Sequence, residues 1–192
     1  MDQTPIIGVF WDFENVRPAN IYTSAFNVQL ALERALPNIS IDITAYGNTY
    51  NLLPHHKLPL YDSAIRLVNI ADTQPSAGDR FMMKDMFHFA LVNMPPSYVI
   101  LISGDADFCP TFTALHDLGY TTVLIFQPGR ESKLLRNLSD HTFFWDDMCK
   151  GHLVSPISND AILRLAQRID RVRPFEPPAY LGKIGGVANA AF

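Results

Sequence analysis

Two short runs place carboxylates among small or polar neighbours: Trp11-Asp12-Phe13-Glu14-Asn15 and Ser103-Gly104-Asp105-Ala106-Asp107. Each follows an apolar, β-branched stretch, Pro5–Trp11 (PIIGVFW) and Tyr98–Ser103 (YVILIS), of the kind buried on both faces of a parallel sheet. A charge just past such a strand is costly unless it is paired or bound to a metal. Capping is the plain alternative: Asp107 would cap a helix beginning at Phe108, and Asn15 a turn. One strand-end Asp divides evenly between the two readings, and two such ends favour a site, with Asn15 and Ser103 as its polar support. A third acid, Asp79, opens a helix expected over Asp79–Asn93, where a carboxylate also suits the helix dipole. On that helix the spacing predicts an inward face of Phe81, Met82, Met86, Phe89 and Val92. Asp85 lies inside this stripe, so it is either hydrogen-bonded within the fold, the favoured reading, or turned into a polar cleft.

Carboxylates brought together from separate elements, with no Cys or His at ligand spacing, suit a hard cation such as Mg2+ or Mn2+. The reaction that most often needs this is phosphodiester hydrolysis, in which the metal activates water and neutralises charge on the phosphorane and the leaving oxygen. Asp12, Asp79 and Asp105 are the expected metal ligands, and Asp107 completes the catalytic set. The histidines add little: His55 and His56 are adjacent and are expected in a surface turn, and the others sit in different elements. There is no GxSxG, Walker A or GxGxxG sequence to support acyl-transfer, NTPase or dinucleotide readings.

The elements that must position these acids alternate between strand and helix. Helices are expected at Ile21–Leu36 (closed by Pro37), Leu58–Ala64, Asp79–Asn93 (Ser76 as a cap, Pro95-Pro96 as a stop), Phe108–Leu118 and Ser132–Leu138. Further strands are expected at Ile39–Tyr46 near a sheet edge, Arg66–Ala71, Thr121–Phe126 and Thr142–Trp145. This alternation predicts an α/β fold with a mainly parallel sheet and helices on both faces, whose ligands bind beyond the C-terminal strand ends. The domain is expected over residues 1–148, followed by a helical extension at 149–172 and a tail or linker at 173–192, rich in proline and glycine.

Composition sets the bounds. With 192 residues, 48% apolar and 18% charged, the chain has enough apolar material for one core and is not of disordered composition. The net charge of −4 argues against a tight, non-specific nucleic-acid binder, and less against an enzyme that keeps acids for metal. Cys109 and Cys149 have no short spacing, so neither a zinc knuckle nor a disulfide framework is expected. With no signal-peptide pattern and no apolar run of spanning length, the expectation is a soluble, intracellular protein of cytoplasm or nucleus, away from membranes.

Three segments together, VFWDFENV (Val9–Val16), SAGDRFMMKDMFHFAL (Ser76–Leu91) and ILISGDADFCPTFTALHDLGY (Ile100–Tyr120), resemble the NYN domain family, a branch of the PIN-like nuclease superfamily, and in order and spacing its eukaryotic members. The resemblance covers roughly Thr4–Met148. It implies a Rossmann-like PIN/NYN fold, an acidic cluster binding Mg2+ or Mn2+, and ribonuclease activity. Carried over by position, Asp12 and Asn15 belong to the first motif, Asp79 opens the middle helix, Asp105 and Asp107 form the SGD-x-D motif, and Asp85 matches a second helix acid.

Two rivals follow. A catalytically inactive NYN module would serve as an RNA- or protein-binding scaffold, though it has no need of all four acids. A haloacid dehalogenase-type phosphatase wants Asp-x-Asp after its first strand, and here the third position is Glu14. For an RNA substrate, expected to be single-stranded, Arg130, Lys133 and Arg136 are candidate backbone contacts, with a solvated basic face as the equal alternative. Tyr46, Asn48, Thr49 and Tyr50 are candidates for stacking and hydrogen bonds to bases. A homodimer and additional domains in a longer protein stay open.

Overall fold

In the computed structural model the described residues are 6–36, 39–70 and 76–152. Six strands, β1 (Ile6–Asp12), β2 (Ser40–Gly47), β3 (Arg66–Asn69), β4 (Tyr98–Ile102), β5 (Thr121–Phe126) and β6 (His141–Phe144), form one sheet in the order β3-β2-β1-β4-β5-β6. Every neighbouring pair is parallel. Parallel neighbours need long crossovers, and these carry α1 (Ile21–Ala35), α2 (Pro54–Asp62), α3 (Ala77–Val92), α4 (Cys109–Asp117) and α5 (Lys133–Leu138), with the short α6 (Trp145–Met148) after β6.

Side chains alternate across a strand, so β1 feeds two apolar layers. Ile7, Val9 and Trp11 pack with Val28 and Leu32 of α1, Leu60 of α2, and Trp145 and Met148 of α6. Phe10 faces the other way, to Met82 and Met86 of α3, Phe112 of α4 and Leu135 of α5. The sheet is therefore covered on both faces, as the alternation of elements predicts. The same parity turns Asp12 and its cross-strand partner Tyr46 towards α3. From β1 the chain moves outward to β2 and β3, then returns across β1 to β4. The strand order thus reverses between β1 and β4, and a crevice opens beyond their C-terminal ends.

β2 lies near the sheet edge as expected, one strand in, and its alternation comes from an exposed N-terminal half at Ser40 and Asp42. Several other expectations are corrected. α2 begins at Pro54, not Leu58, because proline is favoured in the first turn where its missing N–H has no partner to lose. His55 and His56 are therefore helical, their rings 4.3 Å apart, rather than in a surface turn. α3 starts two residues before Asp79. Ser76 stands at its cap position in a left-handed conformation (φ 56°), without the extended backbone a capping hydroxyl needs, and makes no side-chain cap bond. The buried stripe of α3 is Met82, Met86 and Ala90, while Phe81 and Val92 are 42% and 64% exposed. Apolar residues nearly encircle this helix, and the sheet selects the stripe that meets Phe10 and Leu101.

Among the described residues no helix is long and apolar enough to cross a membrane. The expected helical extension at 149–172, from residue 153 on, and the tail at 173–192 lie outside the described residues.

Candidate active site

The turn after β1 is held from below. Trp11 is fully buried, its ring 5.0 Å from Trp145 and 5.1 Å from Phe13. Its indole N–H donates to the Val16 carbonyl (2.8 Å), while the Val16 N–H donates to the Asp12 carbonyl (3.0 Å). This closed turn fixes the last residue of β1, Asp12, whose side chain is only 9% exposed. Asp12 Oδ1 accepts the Asn15 N–H at 3.0 Å and Oδ2 accepts the Ser103 hydroxyl at 2.9 Å. Ser103 Oγ in turn accepts the Asp105 N–H at 3.2 Å, and Asn15 Oδ1 accepts the Gly104 N–H at 3.0 Å. Asn15 and Ser103 therefore join the ends of β1 and β4 and aim the acids of both. If the acids hold a metal, removing either should leave the fold and cost about 10- to 100-fold in its affinity, as is usual for groups that orient ligands. A metal titration of Asn15→Ala and Ser103→Ala checks this.

Gly104 is required by close packing. A Cβ there would lie 2.7 Å from the Arg130 carbonyl oxygen, and its own carbonyl accepts the Ser132 N–H at 2.8 Å. Gly104→Ala must push away the loop after β5, with an expected cost of about 1–3 kcal/mol, read as a lower denaturation midpoint.

Asp105 caps the short 3-10 turn Ala106–Phe108, its Oδ1 accepting the Asp107 N–H at 3.0 Å. The capping role expected of Asp107 thus falls to Asp105, and Asp107 is left exposed. Asp79, from the first turn of α3, lines a small hollow of about 140 Å³ with Asp12 and Glu14. Burial pushes the Asp12 carboxyl up to about 6, and the Asp79 charge adds to this, against the hydrogen bonds from Asn15 and Ser103 that favour the charged form. Asp79 is also raised, first by burial and then by the charges of Asp105 and Asp107, with a smaller push from Glu14. Among the described residues no ion pair reaches any of these five acids.

Among the described residues no three His, Cys, Asp or Glu side chains are already gathered as a metal cage. The donor set still fits Mg2+ or Mn2+. It is all-carboxylate, the neighbouring acids add to the raised pKa of Asp12 and Asp79, and among the described residues no cation is ion-paired with it. Mg2+ in particular keeps several waters and is held by one or two carboxylates plus substrate phosphate rather than by a closed protein cage.

Glu14 is the residue that sequence reasoning missed as part of the cluster. Its Oε1 accepts the Asn48 N–H at 2.9 Å, which holds it over the ends of β1 and β2. The available signal was its place in the same strand-end turn as Asp12. Asp85 stands apart. It accepts the Tyr46 hydroxyl at 3.0 Å and lines a different hollow with Thr44 and Arg66. Tyr46 is 2% exposed and committed to that bond, so it offers no stacking face, contrary to expectation. Thr49 donates its hydroxyl to Asn69 and the Asn48 side chain accepts the Tyr50 N–H, which leaves Tyr50, 81% exposed, as the open ring of that loop.

The three basic residues are not equivalent. Arg136 is paired with Glu131 at 3.1 Å, and Lys133 is exposed at the start of α5. Arg130 lines a cleft of about 820 Å³ that also contains Arg17 and Lys150 but neither Lys133 nor Arg136.

An all-parallel sheet that reverses its order between β1 and β4, with carboxylates at that reversal, defines a Rossmann-like α/β domain with an acidic crevice. The NYN domain family model matches residues 6–147, and the chain belongs to that family. Its PIN-like placement is consistent with the sheet. A solved protein of unknown function from Vibrio parahaemolyticus is similar in fold, with a TM-score of 0.58 and 18% identity over 80% of this chain and 99% of that one. No curated protein matches the chain.

Proposed function

We propose that the chain is a metal-dependent ribonuclease that hydrolyses phosphodiester bonds of single-stranded RNA. NYN domains are typically nucleases. One observation carries the finer reading: Asp12, Asp79 and Glu14 line one hollow at the sheet's reversal, the charges of Asp105 and Asp107 act on Asp79, and among the described residues no ion pair reaches any of the five. Asp12, Asp79 and Asp105 would hold Mg2+ or Mn2+, and the bound ion supplies charge neutralisation at the phosphate and an activated water. The chain's own groups do the rest. Asn15 and Ser103 hold Asp12 in its ligating orientation, and Ser103 also accepts the Asp105 N–H. Asp107 and Glu14 stand at the exposed rim, where they favour a cation over an anion. The free thiols Cys109 and Cys149 fit a reducing compartment.

The scaffold reading keeps the fold without the ion. It is disfavoured because a buried Asp12 beside Asp79 destabilises a chain that never neutralises them. A calorimetric Mn2+ titration separates the two. The ribonuclease should bind Mn2+ at the cluster with an affinity that rises as pH passes through about 6, because Asp12 must lose its proton first. Asp12→Asn should weaken Mn2+ binding and flatten this dependence, leaving the smaller part that Asp79 contributes. A chain that binds no Mn2+ across that range is a scaffold.

A further inference from the structure

We propose that the cleft between the β1–α1 turn and the β5–α5 loop is the track of the RNA backbone, with Arg17, Arg130 and Lys150 holding phosphates beside the scissile one. This rests on the ribonuclease reading of the neighbouring acids. At about 820 Å³ the cleft is on the scale of pockets that enclose whole small ligands. It runs into the acidic crevice through two shared residues. Glu14 lines both the cleft and the hollow of Asp12 and Asp79. Asn15 lines the cleft while its backbone N–H holds the Asp12 carboxylate.

Charge selects the occupant. The acidic cluster repels a polyanion, so a strand crossing it needs cations close by. The cleft supplies Arg17, Arg130 and Lys150 against Glu14 and Asp146, a positive balance on a chain whose net charge is −4. Two of the cations have free donors. Among the described residues the Arg130 side chain makes no hydrogen bond or ion pair, and Arg17 is fixed through Nε to the Phe13 carbonyl (3.2 Å), leaving its terminal nitrogens. The 3.7 Å contact of Lys150 with Asp147 joins side chains that are 69% and 30% exposed, and such pairs hold weakly. Arginines placed this way suit bidentate phosphate contacts. Arg136, by contrast, is engaged by Glu131.

The test is the salt dependence of binding of a short fluorescein-labelled oligouridylate to the full chain in EDTA, with Mn2+-dependent cleavage measured in parallel. Each lost phosphate contact should reduce the slope of log K against log salt by about 0.7 for a single strand. The triple variant Arg17→Gln/Arg130→Gln/Lys150→Gln should lose about 2 in slope and Arg130→Gln alone about 0.7. Lys57→Gln/Lys84→Gln should keep the wild-type slope. A wild-type slope in the triple variant, or the loss appearing in Lys133→Gln/Arg136→Gln instead, overturns the cleft while wild-type cleavage leaves the ribonuclease reading standing. A wild type that neither binds nor cleaves RNA overturns both. A wild type that binds through the cleft but never cleaves leaves the track and removes the nuclease.

Discussion

Asp12→Asn, Asp79→Asn and Asp105→Asn are each expected to cut RNA cleavage by on the order of 10³-fold while the chain stays folded. A metal's stabilisation of transition-state charge is worth several kcal/mol, and each 1.36 kcal/mol is a factor of ten in rate. Losing one of the three carboxylates proposed to share the ion would remove a large part of that. The fold should survive because, among the described residues, none of the three is paired with a basic group whose charge would be stranded. The loss should appear mainly in kcat, since the ion acts on charge that develops in the transition state. Variants of the cleft arginines should instead raise KM, because they hold ground and transition states alike. Asp107→Asn is expected to be milder, as its side chain is exposed and Asp105 does the capping. Single-turnover rates on a labelled oligonucleotide check the order, and a fully active Asp105→Asn would remove the proposed mechanism.

In metal-free buffer Asp12→Asn should be more stable than wild type at neutral pH, by up to about 3 kcal/mol. The Asp12 carboxyl is raised from 3.8 to about 6 in the fold, mainly by burial. A group raised on folding binds its proton more tightly in the native state. Its contribution is therefore fully present below about pH 4 and is lost as pH rises through about 6. Two pKa units correspond to about 3 kcal/mol. Asp79 is raised in the same direction and adds to the slope. Denaturant midpoints in EDTA should fall for wild type between pH 4 and about 7, and fall less for Asp12→Asn. Saturating Mn2+ should reverse the ranking at neutral pH, because the ion neutralises the cluster of wild type only. Equal pH slopes for the two proteins would mean that Asp12 ionises freely in the fold.

The parts of this site written in local pattern were legible in the sequence. Apolar β-branched runs of the right length mark β1, β4 and β5, and carboxylates following two of them locate Asp12 and Asp105 at the crevice. Residues whose role depends on three-dimensional approach were not legible. Glu14 joins the cluster only because β2 lies beside β1 and offers the Asn48 N–H. Asp85 leaves the cluster because Tyr46, on the same face of the sheet, donates to it. Arg17 and Lys150 are 133 positions apart (150 − 17) and share a cleft only after α6 packs against α1. The buried stripe of α3 could not be read from hydrophobicity alone, since apolar residues nearly encircle the helix and the sheet makes the choice.

Incubating the purified chain with labelled single-stranded RNA in Mn2+, in Mg2+ or in excess chelator decides whether the acidic crevice is a metal-dependent nuclease site. Cleavage is expected with either cation or with Mn2+ alone, none in chelator, and only a trace, on the order of 10³-fold slower, by Asp12→Asn. Cleavage that persists in chelator, or its absence with both cations from a chain that remains folded, would contradict that reading.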